Sequence, residues 1–495
     1  MIVNRSILLT VLVGVLGACA VGPTTHHDPM PVRPLATWDS LTDTASKSFI
    51  DSLAVARLAE QKDSGLATLW KAQPLAVDTA GDLAWLAVLK DSTLVGLVNT
   101  AMANNRDLRF AVQRVREFRA LNGVGQSDFY PQLSANATAS TNKVVFGSLG
   151  AQKYDAVNIT ADLSWELDFW GRIRRQAEAT KFDYLAEQED RRATVLTLIS
   201  DVATAYLELR ELDEDLRISE ETLNSRKLTL GLAQKRFNQG VISELDVRQF
   251  EAQAADPAGR VADFQRQRRQ KENALNVLLG QEPGTLARGM PLGETVQAVA
   301  IPDSLPSELL MRRPDVLRAQ RQWSAASARV GAALGERLPK VMITGLYGTQ
   351  RPDFSGLFGK SAEIYTLQAG ISLPLFTGGR LLNEQRAASA RAEQARNTYE
   401  QTVLAALQET SDALVGAHTN RDQLVAQETQ VRALKRALDL ANSRYTNGVS
   451  SYLEVLDAQR TLFTAQLGLV QVERQYLAST VQLYKALGGS WTGEQ

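Results

Sequence analysis

The chain carries one stretch twice. Residues 231 to 248 read GLAQKRFNQGVISELDVR and residues 439 to 456 read DLANSRYTNGVSSYLEVL, with eight of the eighteen positions identical. The same offset of 208 residues places Asp107 on Asp315, Pro131 on Pro339, Gly171-Arg172 on Gly379-Arg380 and Leu279-Gly280 on Leu487-Gly488. Chance does not keep so many anchors in one register. The chain therefore reads as two copies of one unit, and whatever it folds into must be built twice. The first copy is expected over residues 91–280 and the second over 307–488, with a proline-bearing linker at 281–306 and a tail at 489–495.

Within each copy the hydrophobic period changes. From Asp91 the pattern is helical to about Asp128 and stops before Pro131, whose ring pushes the preceding residue to extended geometry. The period then becomes two. Val157, Ile159, Ala161, Leu163, Trp165, Leu167 and Phe169 share one face, and Asn158, Thr160, Asp162, Ser164, Glu166 and Asp168 the other. Such alternation predicts a long strand, apolar on one side and polar on the other. Its partner is residues 132–145, and a loop near 146–154 joins them.

After Gly171-Arg172 a helix is expected to about Asn238, with no proline or glycine before Gly231. It would extend roughly 100 Å at 1.5 Å per residue. The chain turns at Gly240 and returns as a helix over 244–279, about half as long. Two short helices end to end thus match one long one, which predicts a layered helical tube. Pro257 and Gly259 predict a bend or break near Asp256, where the second copy has the helix formers Ala465 and Leu467. The second copy repeats the order: a helix over 313–336, strands over 341–350 and 364–376, a long helix to about Asn447 and a return to Leu487. In its last strand Tyr365, Leu367, Ala369, Ile371, Leu373 and Leu375 face one way.

The first residues, MIVNRSILLTVLVGVLGAC, read as a secretory signal over 1–18, cleaved before Cys19. Cys19 is the one cysteine of the chain, and its LGAC setting resembles the lipobox of bacterial lipoproteins. That implies acylation of the sulfur, and Ala20 after it implies sorting to the outer membrane. Residues 19–90 would then be a lipid-anchored N-terminal segment, opening with four prolines between Val21 and Pro34. Three histidines and a lipid-bound cysteine leave no set of metal ligands, and no cofactor is expected. A net charge of −1 gives no electrostatic footprint for nucleic acid. No nucleophile paired with a base and no phosphate loop points to an enzyme. No apolar run of spanning length follows the signal, so a membrane crossing would fall to strands closed into a barrel.

The motifs LGACAVGP, NNRDLRFA followed by YPQLSA, WELDFWGRIRRQ, RFNQGVISELDV, PLFTGGR, RYTNGVSSYLEVLDAQR and YKALGGSW occur in this order over the chain. Together they resemble the TolC-like outer-membrane efflux factors, in the lipid-anchored branch that works with resistance-nodulation-division pumps. The resemblance implies a mainly α chain that forms a homotrimer: a helical barrel joined to a 12-stranded membrane β-barrel, four strands per protomer. It implies a passive exit duct for small molecules and drugs, with a periplasmic membrane-fusion adaptor and an inner-membrane pump as partners. By the same resemblance Gly240, Val241, Gly448 and Val449 are adaptor-contacting tips. Asp246, Glu454 and Asp457 fall at the family's acidic constriction, and Tyr445 at a tyrosine that ties the inner helix pair shut. Ser450 stands near where some relatives carry a locking arginine. An outlet for type I protein secretion and a pore-less coiled-coil lipoprotein are the alternatives.

Overall fold

The computed structural model describes residues 91–145, 151–296 and 312–489. The expected signal, Cys19 and the rest of the N-terminal segment lie outside the described residues. The first copy runs α1 (Ser92–Asn104), α2 (Arg106–Ser127), β1 (Gln132–Val145), β2 (Ala151–Leu167), α3 (Arg172–Asn238), α4 (Glu244–Leu278) and the short α5 (Leu292–Val296). The second runs α6 (Pro314–Gly335), β3 (Lys340–Arg351), β4 (Glu363–Ser372), α7 (Arg380–Thr446) and α8 (Tyr452–Ala486). Helices α3 and α7 are both 67 residues long, and α4 and α8 both 35.

Four expectations need correction, and each has an identifiable physical cause. The first helix is two, because Asn105 leaves helical geometry (φ −56°, ψ 136°) to cap α2. Its Oδ1 accepts from Leu108 N at 3.0 Å while its Nδ2 donates to Leu278 O at 2.9 Å. Strand β2 begins six residues before Val157, since Ala151–Ala156 extends the ladder against Ser140–Val145. It ends at Leu167, not Phe169, because the Asp168 carboxylate turns to accept from Ile173 N and Arg174 N at the start of α3. Strand β4 ends at Ser372, two residues before Pro374, which has no N–H for a ladder.

The fourth correction is α4, which runs unbroken through Pro257. The ring removes the N–H that would pair with the carbonyl four residues earlier, Gln253. Arg226 of α3 supplies the missing donor, its Nη1 lying 2.6 Å from Gln253 O.

Two compact units divide the described chain. One, within 113–189 and 317–401, holds the sheet and the helix segments that flank it. Its helical core is alanine-rich, with Ala177, Ala179, Ala186, Ala325 and Ala328 buried, so the helices approach closely. Arg172 fastens the base of β2 there, forked on Glu166 at 2.9 and 2.8 Å and reaching Glu336 at 3.1 Å. The other unit is formed from 91–112, 190–296, 312–316 and 402–489. Its core joins both copies: Ile199, Val202, Ala203, Tyr206 and Leu209 of α3, spaced by three and four, pack in one cluster with Leu94, Leu275, Phe463, Leu477 and Tyr484.

Candidate functional site

The sheet is antiparallel in the order β1-β2-β3-β4, and its register decides what each face is. Leu133 faces Leu163, Ala137 faces Ile159, Ala161 faces Tyr347, Trp165 faces Ile343, Gly345 faces Leu367 and Val341 faces Ile371. Directly opposed residues share a face. Most of the large apolar residues therefore fall on one side, although the four strands come from two separate copies; Met342, Leu346 and Ile364 fall on the other. Leu133, Leu367 and Ile371 on the apolar side are each 75% exposed. The opposite side carries Gln132, Ser134, Asn136, Asn158, Asp162, Thr344 and Gln368. Its polar groups pair laterally: Asn136 Nδ2 donates to Asp162 Oδ2 at 2.6 Å and Asn158 Nδ2 to Thr138 Oγ1 at 3.3 Å. One strand of the sheet flanks β1 and one flanks β4, so each of these two keeps one unpaired edge. Among the described residues no helix is long and apolar enough to cross a membrane.

The helical hairpins end in two tips built alike. Gly240 and Gly448 both sit at φ 73°, the left-handed conformation that lets a helix close on itself. Val241 N then donates to Arg236 O, and Val449 N to Arg444 O, each at 2.9 Å. Val241 and Leu245 on one tip and Val449 and Leu453 on the other are exposed apolar pairs at matching positions.

The acidic residues read from the sequence take separate partners. Asp246 closes a capping box, its Oδ2 accepting from Ser243 N at 3.0 Å and from Ser243 Oγ at 2.7 Å. Glu454 pairs instead with Arg444 at 3.5 Å. Asp457 pairs with Arg460 one turn along α8, at 2.8 Å. Ser451 makes no side-chain cap, and the neighbouring Ser450 Oγ is buried without a hydrogen-bond partner.

Tyr445 lies at a junction of the two copies. Its hydroxyl accepts from Arg236 Nη1 at 3.1 Å, and its ring stands edge-on to Tyr452, centroids 4.9 Å apart. Tyr452 packs in turn on Phe250 of α4 at 4.7 Å. Its hydroxyl hydrogen-bonds Thr229 and Gln459, and burial pushes its pKa up. Arg236, Arg444, Phe250 and Tyr452 were not singled out from sequence. The signal for the aromatic pair was there: Tyr452 stands where the first copy has Glu244, and Phe250 where the second has Ala458. The copies diverge where one packs on the other.

A duplicated chain that couples two long helical hairpins to an amphipathic, open-edged sheet defines a subunit of an outer-membrane channel. Comparison with known proteins narrows the class. A family model for outer membrane efflux protein matches residues 97–281 and 305–489, one segment per copy, and the chain belongs to that family. It is 35% identical over 410 residues to the solvent efflux pump outer membrane protein SrpC of Pseudomonas putida, covering 82% of this chain and 87% of that one. It is 32% identical over 417 residues to the cation efflux system protein CusC of Escherichia coli O157:H7, covering 84% and 90%. A crystal structure of CusC, described for conformational changes accompanying folding and transmembrane channel formation, superposes with a TM-score of 0.80 at 29% identity. That match covers 95% of this chain and 100% of that one.

Proposed function

We propose that this chain is the outer-membrane exit duct of a tripartite efflux pump, a passive path for small molecules that an inner-membrane pump drives. The observation that carries the reading is the sheet: a register that gathers the long apolar rows of β2 and β4 on one face with those of their neighbours, bounded by two open edges. Open edges in hydrocarbon leave N–H and C=O groups unpaired at several kcal/mol each, so the strands must close by assembly. Two copies would make eight strands, a ring that side chains fill, whereas three make twelve and leave a lumen. A homotrimer is therefore the assembly of this proposal. On β2 the apolar face from Val157 to Leu167 measures about 33 Å along the strand at about 3.3 Å per residue. Tilted by about 40°, it spans about 25 Å, the height of the apolar band of outer-membrane barrels.

The rest of the proposal concerns the two ends. Cys19 carries the lipid that anchors the mature chain, and the helical hairpins extend into the periplasm. Gly240-Val241 and Gly448-Val449 are the tips that meet a periplasmic adaptor, for which the exposed Val241–Leu245 and Val449–Leu453 pairs offer two matching apolar footholds. Tyr445, Asp246, Glu454 and Asp457 form the constriction, with Arg236 and Arg444 as the cations that hold Tyr445 and Glu454. Arginine ties at these two positions serve closure where Ser450 cannot. The test is the full-length protein in a planar bilayer. Stepwise ion conductance from an oligomer is expected. A water-soluble monomer without conductance, with Leu367 and Ile371 shielded from a lipid-soluble label, overturns the reading.

A further inference from the structure

The two copies solve the same corner with different chemistry. In the second, Arg313 precedes α6 and is only 6% exposed. Its Nη1 donates to Ala486 O, at the end of α8, at 2.8 Å. Its Nε and Nη2 fork onto Asp315 at 3.1 and 2.8 Å, and Nη2 also reaches Glu409 at 2.6 Å. Burial pushes the Asp315 carboxyl up, and the guanidinium more than offsets it, so the net shift is downward. Two carboxylates and a helix-end carbonyl thus hold one planar cation.

Moved back by 208 residues, these positions are Asn105, Leu278, Asp107 and Asp201. Asn105 keeps one of the contacts, donating to Leu278 O at 2.9 Å as Arg313 does to Ala486 O. A neutral amide cannot supply the rest. Both carboxylates are retained, as Asp107 for Asp315 and Asp201 for Glu409, but the charge they face in the second copy is gone. Among the described residues no ion pair closes on either of them. Burial holds the Asp201 carboxyl above its usual range, opposed by the field of Lys485. Between these groups lies an open surface depression of about 250 Å³, lined by Asn105, Asp107, Asp190, Thr197, Asp201 and Leu278, with Asp107 and Asp201 both exposed at its rim. The lining suits a flat, delocalised cation with N–H groups on its edges, which carboxylates bind in forked pairs. It does not suit a metal ion: among the described residues no three side chains group as metal ligands.

We propose that this corner of the first copy is a binding site for a small guanidinium-type cation from solution, seated on Asp107 and Asp201 as the guanidinium of Arg313 is seated on Asp315 and Glu409. The site belongs to the fold and does not rest on the channel reading. Its test is the melting temperature of the full-length protein in detergent, with methylguanidinium chloride against sodium chloride at equal concentration. Methylguanidinium is expected to raise the wild-type Tm by about 1–2 °C over sodium at ten times its Kd. Asp107→Asn combined with Asp201→Asn should abolish the difference. Asn105→Arg should raise the starting Tm and make it indifferent to methylguanidinium. Equal wild-type Tm in the two salts, or a difference that survives in the Asp107→Asn/Asp201→Asn protein, overturns the proposal. Should Asn105→Arg fail to assemble, the double asparagine variant decides alone.

Discussion

Arg226 donates from Nη1 to Gln253 O at 2.6 Å, the carbonyl that Pro257 leaves without a helical partner. The arginine is 5% exposed, and its guanidinium carbon lies 5.6 Å from the ring of Phe463, as does that of Arg260. One side chain thus repairs α4 and joins it to α3 and α8. The second copy needs no such repair: it has Ala465 in place of Pro257 and Leu434 in place of Arg226. Arg226→Met should leave the carbonyl unpaired, a cost of about 1–3 kcal/mol that lowers the Tm by about 1–3 °C. Pro257→Ala in that background restores a helical N–H to Gln253 O and should recover much of the loss. A double variant that melts no higher than Arg226→Met alone would show that the arginine acts by packing only.

The contact between Arg236 and Tyr445 links the ends of α3 and α7, one from each copy, and Arg444–Glu454 closes the second hairpin on itself. If these ties hold the constriction narrow, Tyr445→Phe should raise single-channel conductance, and adding Glu454→Gln should raise it further, severalfold in all. Both substitutions leave Tyr452 and its ring contacts in place, so Tm should change little. Unaltered conductance in the double variant would remove these residues from the gate.

The strands and long helices were legible in the sequence because each is written in a period, and because proline and glycine mark where the period stops. What was not legible depends on a partner far along the chain. The split at Asn105 follows from the nearby carbonyl of Leu278, 173 residues on. The continuity of α4 follows from Arg226, which no local pattern ties to Pro257. At the tips, the resemblance to a family pointed to Asp246, Glu454 and Tyr445, but not to what each one binds. Asp246 and Glu454 are equivalent positions with different fates, because Ser243 caps its helix with a side chain and Ser451 does not. The most telling positions in a duplicated chain are those where the copies differ: Glu244 and Tyr452, Ala255 and Phe463, Asn105 and Arg313.

The two faces of the sheet should respond oppositely to charge. Leu367, opposite Gly345, lies on the apolar side, and its neighbour Gln368, opposite Thr344, on the polar side. Leu367→Arg should cost about 2–4 kcal/mol if the residue meets lipid near the midplane. Gln368→Arg should be tolerated and shift only ion selectivity. The check is the amount of assembled oligomer in outer-membrane fractions, and equal amounts for the two variants would contradict the assignment of faces.

The proposed acylation at Cys19 can be tested on its own. The mature N-terminal peptide should carry the mass of its acyl chains, because a single chain binds membranes only marginally and stable attachment takes more than one. Cys19→Ser should lose that mass while the protein still assembles, since in the proposed channel the sheet is a second and independent hold on the membrane. A wild-type N-terminal peptide of unmodified mass would refute the lipid anchor.

Stability should fall as pH rises through neutrality, and two carboxyls are the cause. Asp215 of α3 is 8% exposed, with its Oδ1 buried and without a hydrogen-bond partner. Burial first, then the charges of Glu211 and Glu214, push its pKa up to about 7 against the opposing pull of Arg260. Glu473 of α8 is pushed up to about 7 by burial first, then by Glu214 and Glu428. An unfolded carboxyl ionises near pH 4, so between roughly pH 4 and 7 the folded chain holds protons that the unfolded chain has released. Folding is therefore favoured at the acid end of that window, and the advantage is lost as pH rises through the folded values. The Tm of the purified protein should decline between pH 5 and 8. Asp215→Asn should raise Tm at pH 8, leave it nearly unchanged at pH 5 and so flatten the profile, with Glu473→Gln acting the same way. The two effects should add only in part, because Glu214 bears on both groups. A wild-type profile already flat over this range, or a slope that Asp215→Asn leaves intact, would mean that these carboxyls are ionised in the folded protein at no cost.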